Sequence, residues 1–264
     1  MRIIRFCKEK KPPSVSFITS CWERDWELLL KREHYLEEKM IGNHHFPFER
    51  KILIINNVSD LCKVKKEADK LIAKGTLTEV YIAEEWSEKV LHFFGLKKSD
   101  FKAADERSEF QVESSWVYYN AIAPLTGIYH TDTDYLIYHT GDVWLPQKVD
   151  WIPKAIKQME KHPVYKVANL VWNEKTGEVK KESYKKRRGF FVAKQGFSDQ
   201  LFLVKREDFR EKIYHEIRPD SHHYPRGDVF EKRVFSYMKN HDWERITFAK
   251  GTYFHECFEK LNAI

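Results

Sequence analysis

The chain has 264 residues, of which 42% are hydrophobic and 33% charged, and this balance excludes a mainly disordered chain. Its 10 glycines and 9 prolines argue against a fibrous or low-complexity architecture. Its 46 lysines and arginines outnumber its 40 acidic residues. The net charge of +6 favours anionic ligands but falls short of a dedicated nucleic-acid-binding protein. Four cysteines without a Cys-x-x-Cys pair argue against a disulfide framework or a structural zinc site, and they indicate a reducing compartment.

Strand and helix signals alternate in the first part of the chain. Apolar runs rich in β-forming residues cover residues 15–20, 51–57 and 79–85. Patterns of helical period lie between them, over residues 22–40 and 60–74. This order predicts a parallel sheet with helices on both faces, and ligands of such sheets bind at the carboxyl ends of the strands.

More helices and strands are predicted in the rest of the chain, on both sides of a region whose hydrophobic pattern has no regular period. The predicted elements are helices from 87, at 114–123, 151–161, 206–214 and 229–240, and strands at 135–140, 165–172 and 200–205. Residues 173–198 indicate a basic loop or a hairpin, and residues 252–257 a short polar-aromatic end. Because no repeat and no linker rich in Pro, Gly or Ser appears, we expect one domain over residues 1–264.

The sequence shows no targeting or membrane-spanning signal. The first 13 residues, MRIIRFCKEKKPP, lack the apolar core of a secretory signal. The longest charge-free run, residues 114–131, is interrupted by Asn120 and Pro124. We therefore expect a cytoplasmic protein that is soluble or, at most, peripheral to a membrane.

The segment DYLIYHTGDVWLP, residues 134–146, carries the most informative acid. The strand at 135–140 delivers Asp142 to a turn at its carboxyl end, where a carboxylate can hold a divalent cation against a diphosphate. Asp132 and Asp134 precede the strand and are expected at its amino end. An Asx turn explains Asp142 as well as a metal ligand does.

At these residues the sequence resembles glycosyltransferases of the GT-A fold, most closely family 2 and its relatives. In that family an asparagine on a helix and a tyrosine precede the metal-binding Asp-x-Asp motif, and Asn120, Tyr135 and residues 139–142 occupy those places here. The resemblance implies an α/β fold with a mostly parallel central sheet. It also implies a Rossmann-like nucleotide-binding half, about residues 15–142, and a mixed acceptor-binding half, about residues 143–264.

The resemblance implies a divalent metal, Mn²⁺ or Mg²⁺, held by Asp142 as the second acid of the motif. Thr140 replaces the first acid, so a further ligand is needed for a strong site. His255 is the candidate, because several enzymes of this fold place a late histidine on the metal, and imidazole suits Mn²⁺ better than Mg²⁺. A histidine satisfied in the core or on the surface is the alternative.

The resemblance also implies a set of residues that contact the nucleotide sugar. They are Thr19, Ser20, Arg24, Asn56, Asn57, Glu84, Asn120, Thr140 and Gly141. The family's usual acid after the second strand is absent, because two asparagines stand there. A capping role for Ser20 and a solvated helix charge for Arg24 are the structural alternatives.

A carboxylate at the start of a late helix deprotonates the acceptor hydroxyl in inverting enzymes of this fold. Residues 227–238 match that helix, with Glu231 as the best-placed base and Asp228 as its substitute. Asp199 is a third acid at an element boundary, and it is expected to contact the acceptor or the donor sugar. Helix capping is the alternative for Asp228.

Two other features have both a functional and a structural interpretation. The basic run at 185–188 could clamp the diphosphate, meet anionic lipid, or form a solvated loop. Trp144 and Trp172 could stack on a sugar face or belong to the core.

The resemblance predicts an enzyme that moves a sugar from a nucleoside diphosphate sugar to an acceptor hydroxyl with metal assistance. A single displacement would invert the anomeric centre, and retention is the alternative. The acceptor would be a glycan, a lipid-linked molecule or a protein, and no nucleic acid is expected. A non-catalytic nucleotide- or glycan-binding module on the same scaffold is the alternative, because fold does not determine function.

Overall fold

The computed structural model describes residues 12–103, 114–194, 196–220 and 227–255, and the statements below concern these residues. Within them, ten strands form one sheet. The strands are β1 (Val15–Cys21), β2 (Arg50–Ile55), β3 (Glu79–Ile82), β4 (Tyr135–Thr140), β5 (Val143–Trp144), β6 (Tyr165–Trp172), β7 (Lys185–Arg187), β8 (Phe190–Ala193), β9 (Leu201–Lys205) and β10 (Glu244–His255). The helices are α1 (Trp26–Lys31), α2 (Leu61–Ala73), α3 (Ala83–Phe94), α4 (Ser114–His130), α5 (Ile152–Lys161), α6 (Thr176–Glu182), α7 (Arg206–Phe209) and α8 (Phe230–Asn240).

The sheet is mostly parallel, as the alternating pattern predicts. Its strand order is β3-β2-β1-β4-β9-β6-β10-β8-β7, with β5 paired to β10. The first four strands in this order are mutually parallel, and so are β6 and β10. Strand β9 runs antiparallel between β4 and β6. The amino end of β9 therefore lies beside the carboxyl end of β4.

The central strands are apolar on both faces because helices cover both sides of the sheet. Phe17 of β1 belongs to a core that includes Trp151, whereas its neighbour Ile18 packs on the other side in the core containing α4. Helix α4 lies close to β1 at Gly127, where a Cβ atom would stand 2.6 Å from Cγ2 of Ile18. The sheet is thus the middle layer of an α/β domain.

Several element boundaries differ from the prediction. The helix predicted over 22–40 is divided, because α1 ends at Lys31 and a π-helical segment occupies Tyr35–Ile41 after His34 takes a positive φ of 62°. Helix α4 continues through Pro124 to His130; it is apolar nearly all round, so it has little helical periodicity to detect.

Two further corrections concern segments that border the site. The third strand ends at Ile82, and α3 begins at Ala83, so Glu84 lies in the first turn of the helix. The polar-aromatic end is part of a long strand, β10, whose register shifts between Phe248 and Thr252. Such an irregularity breaks the alternation from which a strand is recognised. No helix in the described part of the chain is long and apolar enough to cross a membrane.

Candidate functional site

The polar residues of the site meet at the carboxyl ends of β4 and β10. The amide of Thr140 donates a hydrogen bond to the carbonyl of Gln200, at a distance of 3.0 Å, just before β9 begins. Strand β5 then pairs with the end of β10, so that Val143 stands opposite His255. This pairing brings Asp142, which lies between β4 and β5, to the last residue of β10.

Asp142 and His255 form a direct contact, with 3.0 Å between Oδ2 of the aspartate and Nε2 of the histidine. Both side chains are partly accessible, with 23% and 33% of their surfaces exposed. The backbone amide of His255 donates to Oδ1 of Asn173, at 2.9 Å, and so ties the end of β10 to the end of β6. The contact between Asp142 and His255 therefore lies at the carboxyl ends of these strands and is accessible to a ligand.

Gln200 and Tyr253 orient the His255 ring. The hydroxyl of Tyr253 donates to Oε1 of Gln200, at 3.2 Å, so the Gln200 amide nitrogen faces Nδ1 of His255, at 3.1 Å. In this arrangement Nδ1 accepts a hydrogen bond, and the ring proton on Nε2 is donated to Asp142. Rotation of the Gln200 amide would instead let Nδ1 carry the proton and leave Nε2 free to bind a metal. Sequence reasoning did not identify Gln200 or Tyr253.

Asp142 and His255 could hold a metal ion if its remaining ligands came from outside the protein. A carboxylate oxygen and an imidazole nitrogen are both ligands that Mn²⁺ accepts. Among the described residues, no group of three or more His, Cys, Asp or Glu side chains could hold a metal ion. The protein would thus supply two ligands, leaving the other positions to phosphate oxygens and water. At the position of the missing first acid, the buried Thr140 hydroxyl has no hydrogen-bond partner in the described structure.

A buried aspartate beneath Gly141 shapes the loop of Asp142. Oδ1 of Asp25 accepts a hydrogen bond from the amide of Trp22, at 2.7 Å. A Cβ atom on Gly141 would stand 2.9 Å from Oδ2 of Asp25 and 2.8 Å from the carbonyl of Ser20, so only glycine fits there without displacement. Burial raises the pKa of Asp25, the Trp22 amide opposes the rise, and the charge of Asp142 adds to it. Sequence reasoning missed Asp25, although it lies just after the first strand.

Asp199 and Glu231 form a second pair of carboxyl groups beside the first. The amide of Asp199 donates to Oε1 of Glu231, at 2.9 Å, and Nδ2 of Asn120 donates to Oδ2 of Asp199, at 3.1 Å. Burial raises the pKa of Glu231 well above its usual range, and the neighbouring Asp199 charge raises it further. Burial also raises the pKa of Asp199, but the hydrogen bonds from Glu231 and Asn120 oppose this rise. Both carboxyl groups are thus protonated more readily than a solvated acid, and the rise in pKa is the larger for Glu231.

The two pairs lie within electrostatic reach of each other. Besides burial and its hydrogen bonds, the pKa of Asp199 is lowered by His255 when that ring is protonated, and it is raised by the charge of Asp142. Asp228, in contrast, forms an ion pair with Lys232, at 3.0 Å, one turn along α8. It lines a separate cavity of about 240 Å³ with Asp100, Lys102, His215, Ile217 and Arg233. The structure thus brings Glu231 and Asp199 together and places Asp228 in another environment.

The residues expected to contact the nucleotide lie along the ends of β1 and β2. Thr19 is buried within β1, and Oγ of Ser20 shares a hydrogen bond of 2.8 Å with the hydroxyl of Tyr138. The exposed Arg24 guanidinium lies 5.4 Å from the centre of the Trp22 ring. Ser20 is therefore held to β4, whereas Arg24 points to solvent beside an indole.

The two asparagines after β2 have different surroundings. Asn56 is buried, and its Nδ2 donates to the carbonyl of Tyr119 in α4, at 2.8 Å. Asn57 is exposed with a φ of 50°, and its amide donates to Oε1 of Glu84, at 2.5 Å. The end of β2 is thus connected to α4 and to the first turn of α3.

The tryptophans and the basic run lie at different distances from this site. Trp144 lies two residues after Asp142, and its ring stacks on Phe254, with 5.2 Å between ring centres. Trp172 lies at the end of β6, and its Nε1 donates to Glu178, at 3.2 Å. The run Lys185–Arg187 forms β7 at the far edge of the sheet, a position that does not favour a clamp on a ligand at Asp142.

Comparison with solved structures shows that the chain has the GT-A fold of glycosyltransferases. A mannosyltransferase from Pyrobaculum calidifontis, PcManGT, in complex with GDP-Man and Mn²⁺, matches with a TM-score of 0.55 and 13% identity over 92% of this chain and 56% of its own. GalNAc-T7 with UDP, GalNAc and Mn²⁺ matches with a TM-score of 0.54 and 11% identity over 94% of this chain and 44% of its own. TarS of S. aureus matches with a TM-score of 0.50 and 9% identity over 92% of this chain and 37% of its own.

The chain therefore spans about half of the first of these proteins and less of the other two. No family model and no curated protein sequence matches it. At these identities the likeness concerns the fold, and the α/β prediction with a mostly parallel sheet is confirmed.

Proposed function

We propose that this protein is a glycosyltransferase that moves a sugar from a nucleoside diphosphate sugar to an acceptor hydroxyl. The observation that carries the proposal is the position of Asp142 and His255. They lie 3.0 Å apart at the carboxyl end of β4 and within electrostatic reach of the Asp199–Glu231 pair. Two solved structures of the same fold contain Mn²⁺ with GDP-Man or with UDP and GalNAc, which supports this class of donor.

The donor would lie over β1 and β4, with its diphosphate at Asp142 and its nucleoside towards Asn57 and Glu84. Asp142 and His255 would hold Mn²⁺ or Mg²⁺, which supplies positive charge against the leaving diphosphate. Gln200 lies next to Nδ1 of His255, and rotation of its amide would let Nδ1 donate to the amide oxygen, so that Nε2 could bind the metal. Ser20 lines the end of β1 beside them.

The acceptor would lie on the opposite side of the sugar, next to Asp199. The Asp199 carboxylate would take the proton of the acceptor hydroxyl while the hydroxyl oxygen attacks the anomeric carbon. The bond from that carbon to the diphosphate oxygen breaks in the same displacement, so the anomeric centre is inverted. Protonated Glu231 and the Asn120 amide keep Asp199 oriented and ionised.

Thermal unfolding with a panel of nucleoside diphosphates and nucleotide sugars tests the donor site. A ligand present at 100 times its dissociation constant should raise the melting temperature by about 5–10 °C, and Mn²⁺ should add to this rise. Asp142→Asn should remove the Mn²⁺ increment. The matched control is Asp132→Asn, whose exposed carboxylate lies at the opposite end of β4. If no nucleotide raises the melting temperature with any metal, the donor-site assignment is wrong.

A non-catalytic nucleotide- or glycan-binding module is the second candidate, and Thr140 in place of the first acid of the motif favours it. Such a module would show the same rise in melting temperature without chemistry. Release of nucleoside diphosphate from the stabilising nucleotide sugar separates the two. Turnover by the wild type that Asp142→Asn abolishes supports the transferase, and binding without turnover supports the module.

A further inference from the structure

Positively charged side chains lie along β7, the strand at one lateral edge of the sheet. Strand β7 is the last in the strand order, and its described pairing is with β8 on one side. Through β8, it lies beside residues Arg245 to Phe248 of β10, whereas Asp142 contacts His255 at the other end of that long strand. The cations of β7 are therefore remote from Asp142 and free to meet a different partner.

Cations from neighbouring elements extend this row of charges into a surface that we call the basic edge. Its members are Lys161, His162, Lys185, Lys186, Arg187, Arg188 and Lys194. All of these side chains are exposed except that of His162, which is partly buried. Partial burial and then the positive charges of Arg187, Lys161, Arg188 and Lys185 lower the pKa of His162, as expected where several cations surround one ring.

Two exposed apolar side chains lie within the basic edge. Val164 and Tyr184 are each 47% exposed, and they are two of the three large hydrophobic residues exposed in the described chain. Glu244 connects them, since its amide donates to the Val164 carbonyl, at 2.7 Å, and its carboxylate accepts from the Tyr184 hydroxyl, at 2.9 Å. Nζ of Lys185 lies 4.5 Å from the centre of the Tyr184 ring.

This combination distinguishes a lipid surface from a dissolved polyanion. A dissolved polyanion is attracted by the cations, but an exposed valine and tyrosine contribute nothing to its binding. A bilayer with anionic lipids attracts lysine and arginine by its surface potential, and its headgroup region accepts tyrosine and aliphatic side chains. Lysine stems lie along apolar surface while their ammonium groups stay in water, which matches Lys185 over Tyr184.

We propose that the basic edge is a docking surface for a membrane that carries anionic lipids. The bilayer would lie along β7 and the amino end of β6, with Val164 and Tyr184 in the headgroup region. The candidate donor site, at the carboxyl ends of β4 and β10, would then stay open to solvent. This proposal does not depend on catalysis.

Sedimentation with vesicles tests the proposal on the full chain. Vesicles of phosphatidylcholine with phosphatidylglycerol should bind the protein, pure phosphatidylcholine should not, and added salt should weaken the binding. Lys185→Gln/Arg187→Gln/Arg188→Gln should lower partitioning on the order of a hundredfold, because each basic residue contributes separately near an anionic surface. The matched control, Lys65→Gln/Lys66→Gln/Lys74→Gln, removes the same charge from exposed positions on and after α2 and should bind as the wild type does.

A second variant separates lipid from other polyanions. Val164→Ser/Tyr184→Ser keeps every charge and should still weaken vesicle binding severalfold, while leaving retention on heparin unchanged. Circular dichroism and melting temperature confirm that each variant is folded. The proposal is overturned if anionic vesicles do not bind the wild type, or if both triple variants lose binding equally. It is also overturned if the apolar variant binds vesicles normally, which would indicate a site for dissolved polyanions.

Discussion

Asp199 and Glu231 are buried close together, where there is little water. Ionising both carboxyl groups at once is therefore unfavourable, and the pair carries one negative charge rather than two. We expect the charge on Asp199, because the Asn120 amide donates to that carboxylate and burial raises the pKa of Glu231 well above its usual range. Glu231 was the base expected from the resemblance, on the ground of its position at the start of a helix. The hydrogen bonds favour Asp199 for that role, with Glu231 as a neutral partner.

Turnover should therefore fall less in Glu231→Gln than in Asp199→Asn. Glu231→Gln keeps an acceptor for the Asp199 amide and a donor for its carboxylate, so turnover should fall by no more than about tenfold. Asp199→Asn removes the proton acceptor, and turnover should fall by about 10²–10⁴-fold. The measurement is release of nucleoside diphosphate from the nucleotide sugar that stabilises the protein.

The control for this comparison is Glu211→Gln, an exposed acid outside the site, which should retain wild-type turnover. All three variants should melt close to the wild type. Equal losses from Glu231→Gln and Asp199→Asn, or a larger loss from Glu231→Gln, would contradict the assignment, because a neutral partner at position 231 should be replaceable by glutamine.

At the scale of elements, a buried pair of histidines connects three parts of the chain behind the Asp142 loop. Nε1 of Trp151, just before α5, donates to Nδ1 of His44, at 3.0 Å. Nε2 of His44 then lies 2.7 Å from Nε2 of His139, which is in β4 three residues before Asp142. An indole can only donate, so neutral His44 carries its proton on Nε2 and donates to His139. The link requires both rings to be neutral.

These histidines should make the protein lose stability as the pH falls. Burial lowers the pKa of both, for His44 with help from His139, and that of His139 reaches about 3. The unfolded chain binds protons on both rings below a pH of about 6.5 and the folded chain does not, so the stabilisation is present above that pH. Between pH 6.5 and about 4, the His139 ring should remove about 1.4 kcal/mol of unfolding free energy per pH unit, and His44 should add to this slope.

Denaturant unfolding at several pH values in this window measures the slope. The double variant His44→Gln/His139→Gln should show a clearly shallower pH dependence, whatever its stability at neutral pH. His92→Gln, at an exposed position on α3, should keep the wild-type slope. An unchanged slope in the double variant would show that the histidine pair does not carry the effect.

At the scale of the whole molecule, the two halves expected from the resemblance share one sheet. Strand β9 of the second half pairs with β4 of the first from Tyr135 to His139, and β6 continues the sheet beyond it. Phe202 of β9 is fully buried and packs against Tyr138 of β4, with 5.2 Å between ring centres. The junction between the halves is thus part of the core.

The whole chain should therefore unfold as one cooperative unit. Calorimetry should show a single transition whose van't Hoff and calorimetric enthalpies agree. A fragment of residues 1–142 should not fold alone, because removal of β9 exposes the apolar edge of β4. Two separate transitions, or a stable folded fragment, would contradict this expectation and indicate two domains.

The sequence by itself determined the alternation of strands and helices, the parallel sheet and the position of Asp142 at the end of β4. These features depend on local periodicity and on the rule that the carboxyl ends of parallel strands meet. Only the tertiary structure decided that His255 contacts Asp142, that Gln200 orients it, and that Asp199 pairs with Glu231. Those contacts join residues far apart in the chain, across an antiparallel strand and the irregular β10, and no local pattern encodes such register. The charges of the basic edge are likewise visible in the sequence. Their separation from the candidate site depends on the order and register of the strands, which only the tertiary structure shows.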